Sequence, residues 1–92
     1  MATKTAIVTG GSRGLGKDMA ISIARKGLHV IITYRTNKSE AEQVVEEIRN
    51  TGQKAVALPL DLSQLSGLDA FVTEVENALP QLGSGGIDFL VN

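Results

Sequence analysis

The sequence predicts an open α/β sheet of parallel strands with helices on both faces, in the strand order 3-2-1-4. Two observations lead to this fold class. Short runs rich in β-branched residues alternate with segments whose apolar residues recur at helical spacing. The first and last of these runs, residues 5–9 and 87–92, are almost continuously apolar, as strands are when helices cover both faces of a parallel sheet. Right-handed crossovers are expected between the strands.

The first part of the chain contains a strand, a helix and a second strand. Residues 5–9 (TAIVT) form the expected first strand and lead directly into a glycine-rich segment. A helix is expected over residues 15–26, and Gly27 is its expected left-handed cap. The buried face of this helix is expected to carry Met19, Ala20, Ile23 and Ala24. The second strand follows as HVIITY, residues 29–34.

A second helix and a third strand continue the alternation. A capping box of Ser39 and Glu42 is expected to open the helix, and Gly52 is expected to close it. The apolar stripe of the helix is predicted to be Ala41, Val44, Val45 and Ile48. The third strand is AVALPL, residues 55–60, in which Pro59 indicates an edge position or the end of the strand.

The third helix and the fourth strand complete the pattern. The helix is expected to begin at Ser66 with Asp69 as its capping partner. Its apolar stripe is predicted to be Leu68, Phe71, Val72, Val75 and Leu79. A glycine-rich loop from Pro80 to Gly86 precedes the fourth strand, IDFLVN, residues 87–92. We see no repeat, low-complexity tract or domain boundary within the sequence.

Composition excludes several classes of protein. The chain has 92 residues, of which 42% are apolar and 21% are charged, and its net charge is −1, all ordinary values for a soluble globular protein. It has no cysteine, which rules out a disulfide framework and a thiolate zinc site. The apolar runs are short, so neither a membrane span nor a signal peptide is expected, and a cytoplasmic location is the default. One tyrosine and two phenylalanines offer few rings to stack on bases, which disfavours nucleic-acid binding.

Charge is unevenly distributed along the chain. Residues 1–38 contain seven of the nine basic residues and one acid, whereas residues 39–92 contain two basic and nine acidic residues. A positive first half suggests an anionic ligand in that region. Alternatively, Lys17, Arg25 and Lys26 belong to a solvated helix face.

The glycine-rich segment TGGSRGLGK, residues 9–17, joins the first strand to the first helix. The first backbone N–H groups of a helix have no intrahelical partner, and together with the helix dipole they form a site that suits a phosphate. Glycine lets the main chain approach such a ligand without a Cβ atom in the way. The segment therefore predicts a nucleotide-binding loop.

One interpretation of this loop is a nucleoside triphosphate site. Gly11-x-x-x-x-Gly16-Lys17 has the required spacing, and Asp61 at the end of the third strand could bind magnesium. However, position 18 is an aspartate, whereas this motif needs a serine or threonine hydroxyl for the metal. A carboxylate beside a triphosphate would also repel it.

The other interpretation is a dinucleotide site. The first strand is followed by Thr9-Gly10-x-x-x-Gly14-x-Gly16, "DL" (61–62) ends the third strand, and "LVN" (90–92) ends the fourth. On these motifs the chain resembles the short-chain dehydrogenase/reductase family, in which the last motif opens an Asn-Asn-Ala-Gly sequence. The resemblance extends over all 92 residues. It implies that residues 1–92 are the N-terminal part of a single Rossmann-type dinucleotide-binding domain, truncated after strand four.

The resemblance implies a role for each residue of the glycine loop. Gly10 shapes the turn, Gly14 and Gly16 admit the pyrophosphate, and the Leu15 amide donates a hydrogen bond to it. As an alternative, Gly10 and Gly14 serve only a tight turn.

The resemblance implies further contacts with the adenosine half of the cofactor. Ser12 and Arg13 lie along the ribose and its phosphate. Asp61 accepts a hydrogen bond from the adenine amino group, and the Leu62 amide donates one to the ring. Asn92 passes beside the adenosine. The plainer alternatives are that Asp61 is only a helix-start residue and that Asn92 is only a chain end.

Arg35 is expected to select the cofactor. It follows the second strand about 20 residues after the glycine loop, where a dinucleotide fold reads the 2′ position of the adenosine ribose. An acid there would favour NAD, but the first acid after the strand is Glu40. A guanidinium matches a phosphate, and Arg13 can reach the same region, so NADP(H) is preferred over NAD(H). Lys38 adds charge. Alternatively, Arg35 is a solvated loop arginine.

Tyr34 and Lys38 have the spacing of a catalytic Tyr-x-x-x-Lys pair, but their expected positions exclude that role. Such a pair works when both residues share one helix face. Here Tyr34 ends a strand and the helix begins near Ser39, and extended residues four apart lie roughly 13 Å from each other. His29 is expected at a strand entry rather than in catalysis, and no metal-binding cluster is apparent.

The resemblance implies that the complete parent protein is an enzyme. It would transfer hydride between a nicotinamide and a small-molecule carbonyl or secondary alcohol, and it would be a homo-oligomer. The serine, tyrosine and lysine of the family lie beyond strand four, so no catalytic residue is assigned and the 92-residue chain alone is expected to be inactive. The short length suggests an alternative, a non-catalytic nucleotide-binding module. An open edge at strand four, near Phe89 and Leu90, favours association or disorder.

Overall fold

Three helices and four strands alternate along the chain in the computed structural model, which describes residues 4–10, 14–60, 66–82 and 87–91, with residues 66–69 described for their backbone alone. In chain order the elements are β1 (Thr5–Val8), α1 (Gly14–Arg25), β2 (His29–Tyr34), α2 (Lys38–Arg49), β3 (Ala55–Pro59), α3 (Ser66–Gln81) and β4 (Phe89–Val91). The strands are parallel and form one sheet in the order β3-β2-β1-β4. The predicted fold class and strand order are therefore confirmed.

The central strand β1 aligns the carboxyl ends of its two neighbours. Val8 pairs with Ile32 of β2 on one side and with Val91 of β4 on the other. Because all four strands run in the same direction, the segments that follow β1 and β2 emerge at one edge of the sheet. This edge is where ligands bind in open α/β folds.

Two apolar clusters hold the helices against the sheet. The cluster beneath α1 and α2 consists of Val8, Ala20, Ala24, Val30, Ile32, Ala41, Val44, Val45, Ile48 and Ala55. The cluster beneath α3, on the opposite face, consists of Ile7, Ile31, Val75 and Leu82. All four residues predicted for the stripe of α2 are buried, which confirms the helical periodicity of that segment.

Helix α1 buries a narrower face than its sequence predicts. Ala20 and Ala24 are buried and Ile23 is partly buried, but Met19 is 40% exposed, so its predicted burial is wrong. The two alanines belong to the cluster shared with α2, whereas Met19 lies outside that cluster. Gly27 has φ +98° and its N–H bonds to the Ala24 carbonyl at 2.9 Å, as expected for the helix end.

Helix α2 begins one residue earlier than expected, and the predicted capping box of Ser39 and Glu42 is wrong. The cap is Asn37, whose side-chain oxygen accepts the backbone N–H of Glu40 at 3.0 Å. Glu40 is the third residue of the helix, which is the position that an N-cap side chain reaches. At the other end Gly52 has φ +97° and bonds to the Arg49 carbonyl.

Helix α3 begins at Ser66, as expected, but it continues beyond its predicted end. Pro80 lies inside the helix rather than in a loop, and Leu82 is buried at 2% exposure against the apolar cluster. Burial of Leu82 favours a further turn of the helix. The Leu82 N–H donates to the Ala78 and Leu79 carbonyls. Val72 is 52% exposed, so its predicted place in the buried stripe is wrong. The side chains of Leu68, Ser66 and Asp69 lie outside the described part of the structure.

The two outer strands of the sheet, β3 and β4, differ in what marks or covers their edges. Pro59 is the last residue of the outer strand β3, in agreement with its predicted edge or terminal position. At the other edge, Phe89 is 49% and Leu90 64% exposed in β4, so the prediction that this strand is covered on both faces is wrong within the described part of the chain. Both side chains are exposed on β4, which is an outer strand of the described sheet.

None of the helices in the described ranges combines the length and the apolar character that a membrane span requires.

Candidate functional site

A tight turn follows β1 at the carboxyl edge of the sheet. Gly10 has φ +68° and Gly14 has φ +53°, both in the left-handed region that glycine adopts readily. This backbone conformation by itself accounts for glycine at both positions. A Cβ atom built on either residue would meet no atom of the described residues within 4 Å, so no described side chain crowds either position.

Hydrogen bonds fix the start of this turn to the strands on both sides of β1. The Thr9 N–H bonds to the Val91 carbonyl of β4 at 2.8 Å, and the Thr9 hydroxyl donates to the same oxygen at 3.3 Å. On the other side the Gly10 N–H donates to the hydroxyl oxygen of Thr33 in β2 at 2.9 Å. The turn is thus tied to three adjacent strands.

Helix α1 begins at Gly14, four residues after Gly10 in the chain. The helix begins with Gly14, Leu15 and Gly16, and its first turn contains no acidic residue. The first N–H groups of a helix lack intrahelical partners and carry its positive dipole end. The Leu15 side chain is 81% exposed, so the surface at this helix start is accessible. These features together suit a phosphate group.

Arg35 lies at the same edge of the sheet. It is exposed and is the first residue after β2, whose last residue, Tyr34, accepts the Leu60 N–H from the segment beyond β3 at 2.9 Å. The strand is therefore held in place up to the residue before Arg35. The parallel pairing of β1 with β2 brings Arg35 to the edge that carries Gly10 and the start of α1.

Five residues with predicted cofactor contacts lie outside the described residues, and their roles stay predictions. They are Ser12, Arg13, Asp61, Leu62 and Asn92.

Tyr34 and Lys38 do not share a helix face. Tyr34 ends β2 and packs partly buried against the apolar cluster beneath α1 and α2, whereas Lys38 is the first residue of α2. This arrangement agrees with the prediction that their spacing is not that of a catalytic pair.

His29 lies at the opposite edge of the sheet, where β2 begins. Its Nδ1 atom accepts the Lys54 N–H at 3.1 Å, which is a strand-entry role as expected. Burial and, to a smaller extent, the charge of Lys54 lower the pKa of His29 below its ordinary value of 6.5. Within residues 4–10, 14–60, 66–82 and 87–91, no group of three or more potential ligand side chains could hold a metal ion.

Sequence reasoning missed Thr33. Its side chain is 3% exposed, and it is one of two buried polar residues in the described part of the chain. The sequence does contain a signal for this residue. A hydroxyl side chain lies near the end of the apolar run HVIITY, and buried polar groups need hydrogen-bond partners. The identity of that partner, the Gly10 N–H, depends on the pairing of β1 with β2.

Comparison with known proteins identifies a family. The family model for short chain dehydrogenases matches residues 4–92. The short-chain dehydrogenase/reductase FrzI of Cladobotryum sp. is 44% identical over 89 residues, which is 97% of this chain and 33% of FrzI. The 3-oxoacyl-[acyl-carrier-protein] reductase FabG of Staphylococcus aureus (strain Mu50) is 39% identical over 90 residues, which is 98% of this chain and 35% of FabG.

A solved structure with a similar fold supports this assignment. The landomycin C-6 ketoreductase LanV with bound NADP and rabelomycin superposes with a TM-score of 0.89 at 31% identity, covering 97% of this chain and 37% of LanV. The chain spans about a third of the length of the relatives that it matches. With its glycine turn, its Rossmann-type parallel sheet and these relatives, the chain belongs to the short-chain dehydrogenase/reductase family of oxidoreductases.

Proposed function

We propose that this chain is the NADP(H)-binding part of a short-chain dehydrogenase/reductase. The observation that carries the proposal is the common edge of β1 and β2, which brings the glycine turn, the start of α1 and Arg35 to one side of the sheet. Backbone donors there suit the pyrophosphate, and a guanidinium suits a phosphate on the adenosine ribose.

The preference for NADP(H) over NAD(H) rests on the residues after β2. Arg35 is exposed at that point, and the first acid that follows, Glu40, is already the third residue of α2. A carboxylate that could accept hydrogen bonds from a free 2′-hydroxyl is therefore missing from the segment between β2 and α2, all of which is described. The LanV structure, in which NADP is bound, is consistent with this preference.

The proposed cofactor contacts rest on the family to which the chain belongs, and the backbone of the described loop residues supports them. Gly10 would shape the turn, Gly14 and Gly16 would admit the pyrophosphate, and the Leu15 N–H in the first turn of α1 would donate a hydrogen bond to it. Ser12 and Arg13 would contact the ribose and its phosphate, Asp61 and Leu62 would contact the adenine, and Asn92 would lie beside the adenosine.

The complete enzyme would transfer hydride between C4 of a nicotinamide and a small-molecule carbonyl or secondary alcohol. A tyrosine whose pKa is lowered by a lysine and by the charge of the cofactor would exchange the proton. The only tyrosine of this chain, Tyr34, ends a strand and packs on the core, so we propose that residues 1–92, as part of one dinucleotide-binding domain, do not catalyse the reaction alone.

The proposal includes a homo-oligomeric parent enzyme in the cytoplasm, where cells maintain pools of reduced nicotinamide dinucleotides. Subcellular fractionation and sedimentation of the parent protein would test these two points.

Fluorescence titration of the folded chain with NADPH and with NADH tests the cofactor. We expect NADPH to bind more tightly than NADH. Tighter binding of NADH, or no binding of either by a chain whose circular dichroism shows it to be folded, would contradict the proposal. A parallel titration with ATP and magnesium separates the dinucleotide site from a triphosphate loop, for which magnesium-dependent binding is expected.

A further inference from the structure

We infer that Thr33 is a positioning residue for the cofactor, because its hydroxyl holds the glycine turn in the conformation that presents backbone donors to the pyrophosphate. The inference rests on the proposed function and assigns Thr33 no direct contact with the ligand. Its basis is the hydrogen bond from the Gly10 N–H to the Thr33 oxygen at 2.9 Å.

The Thr33 side chain is itself held rigidly. Thr33 is 3% exposed, it pairs with Leu58 of β3, and the preceding Ile32 pairs with Ala57. A β-branched side chain in a strand has restricted rotation about χ1, and burial restricts it further. The hydroxyl oxygen therefore has a fixed place from which to accept a hydrogen bond.

The glycine turn, by contrast, needs an external anchor. Gly10 is exposed and has φ +68°, and glycine has the largest backbone freedom of any residue. The neighbouring Thr9 is tied to Val91 on the β4 side, and the Gly10–Thr33 bond ties the turn to the β2 side. Without this bond the turn would sample other conformations. A ligand that binds only the conformation held by Thr33 would then bind more weakly.

The roles assigned to Thr33 and Arg35 predict different effects on the binding of NADPH and NADH. The turn faces the pyrophosphate, which NADPH and NADH share, whereas Arg35 is proposed to face the 2′-phosphate, which only NADPH carries. Thr33→Val keeps the shape of the side chain but removes the acceptor. It should weaken both cofactors by the same factor, about five- to tenfold for one neutral hydrogen bond, and leave the NADPH:NADH ratio unchanged.

Thr5 offers a matched control. It is the other buried polar residue in the described part of the chain, at 0% exposure, and its hydroxyl has no hydrogen-bond partner among the described residues. It lies at the start of β1, at the edge of the sheet away from the turn. Thr5→Val makes the same chemical change in the same sheet and should leave both affinities unchanged. Thr33→Ser retains a hydroxyl and should bind both cofactors within about twofold of the wild type.

The test is to titrate the wild-type chain and the three variants with NADPH and NADH by fluorescence, with the folded fraction of each measured by circular dichroism. Equal losses for both cofactors in Thr33→Val, with unchanged affinities in Thr5→Val and Thr33→Ser, would support the inference. Wild-type affinity in Thr33→Val, or a loss confined to NADPH, would overturn it while leaving the proposed function intact. A wild-type chain that is folded and binds neither cofactor would overturn both.

Hydrogen exchange of the Gly10 amide provides a second measurement that needs no variant. In the cofactor-free wild-type chain this amide should exchange at least about tenfold more slowly than in an unstructured peptide, because Thr33 already holds it. Exchange at the rate of an unstructured peptide would overturn the inference even if Thr33→Val does not fold.

Discussion

The Nδ1 atom of His29 accepts the backbone N–H of Lys54 at 3.1 Å, which ties the start of β2 to the segment that enters β3. An imidazole nitrogen accepts a hydrogen bond only when it carries no proton, so this contact requires neutral His29. Burial has the larger effect and the charge of Lys54 the smaller one, and both lower the pKa of His29, which also favours the neutral ring. The contact makes stability depend on pH.

We predict that stability falls as the pH is lowered from about 7 through the unfolded-state pKa of 6.5 toward the lower pKa of the folded state. The unfolded chain binds more protons in this window, so acid favours unfolding, and the effect is absent above it. Urea denaturation at a series of pH values measures it. His29→Gln cannot titrate and should show a smaller decline between pH of about 7 and 5.5, above the range of ordinary carboxylates. An identical decline in both proteins would refute the role of His29.

Arg35→Ala should weaken NADPH far more than NADH. Loss of one charged hydrogen bond costs about 1.5–3 kcal/mol, which corresponds to a roughly 10- to 150-fold rise in the Kd for NADPH. Titration with both cofactors gives the two ratios. Arg25→Ala is the matched control, because Arg25 is an exposed arginine at the far end of α1 from the glycine turn. Equal losses for NADPH and NADH in Arg35→Ala would argue against a 2′-phosphate contact.

Asn37 and Ser39 form a pair that tests where α2 begins. Asn37→Ala removes the side-chain oxygen that accepts the Glu40 N–H and should lower the free energy of unfolding by about 1 kcal/mol. Ser39→Ala changes an exposed residue inside the first turn and should alter it by less than about 0.5 kcal/mol. Urea denaturation of both variants measures the difference. A larger cost for Ser39→Ala would restore Ser39 as the cap.

Leu90→Lys should reduce self-association of the chain. Leu90 is 64% exposed on β4, an outer strand of the described sheet, and a lysine on such a strand opposes pairing with another chain. Val72→Lys is the control, since Val72 is 52% exposed but lies on α3. Sedimentation velocity at increasing concentrations should show more monomer for Leu90→Lys alone. A wild-type chain that remains monomeric throughout would remove the basis of this prediction.

Part of the candidate site followed from sequence. The positive φ angles of Gly10 and Gly14 fit the loop predicted from the motif. Arg35 lies directly after β2, as predicted from the sequence. These features depend on residues close together in the chain, and on the rule that parallel strands end at one edge. Thr33 was missed because its partner, Gly10, is 23 residues away.

Errors in the fold arose where neighbouring residues competed or where long-range packing decided the outcome. Asn37 and Ser39 are both good caps by residue type, and side-chain geometry selected Asn37. Pro80 is a usual helix breaker, but burial of Leu82 against Ile7 and Ile31 stabilises the turn that includes it.

The sequence by itself determined the alternation of strands and helices, the order of the sheet and the buried stripe of α2. The alternation and the stripe come from the periodicity of apolar residues, which acts locally, and the order of the sheet was predicted from the rules that parallel α/β folds obey. Only the tertiary structure decided that Met19 is exposed and that Thr33 accepts the Gly10 N–H. Periodicity shows which residues share a face, but whether that face meets a neighbour, or a hydroxyl meets a donor, depends on segments that are distant in the chain.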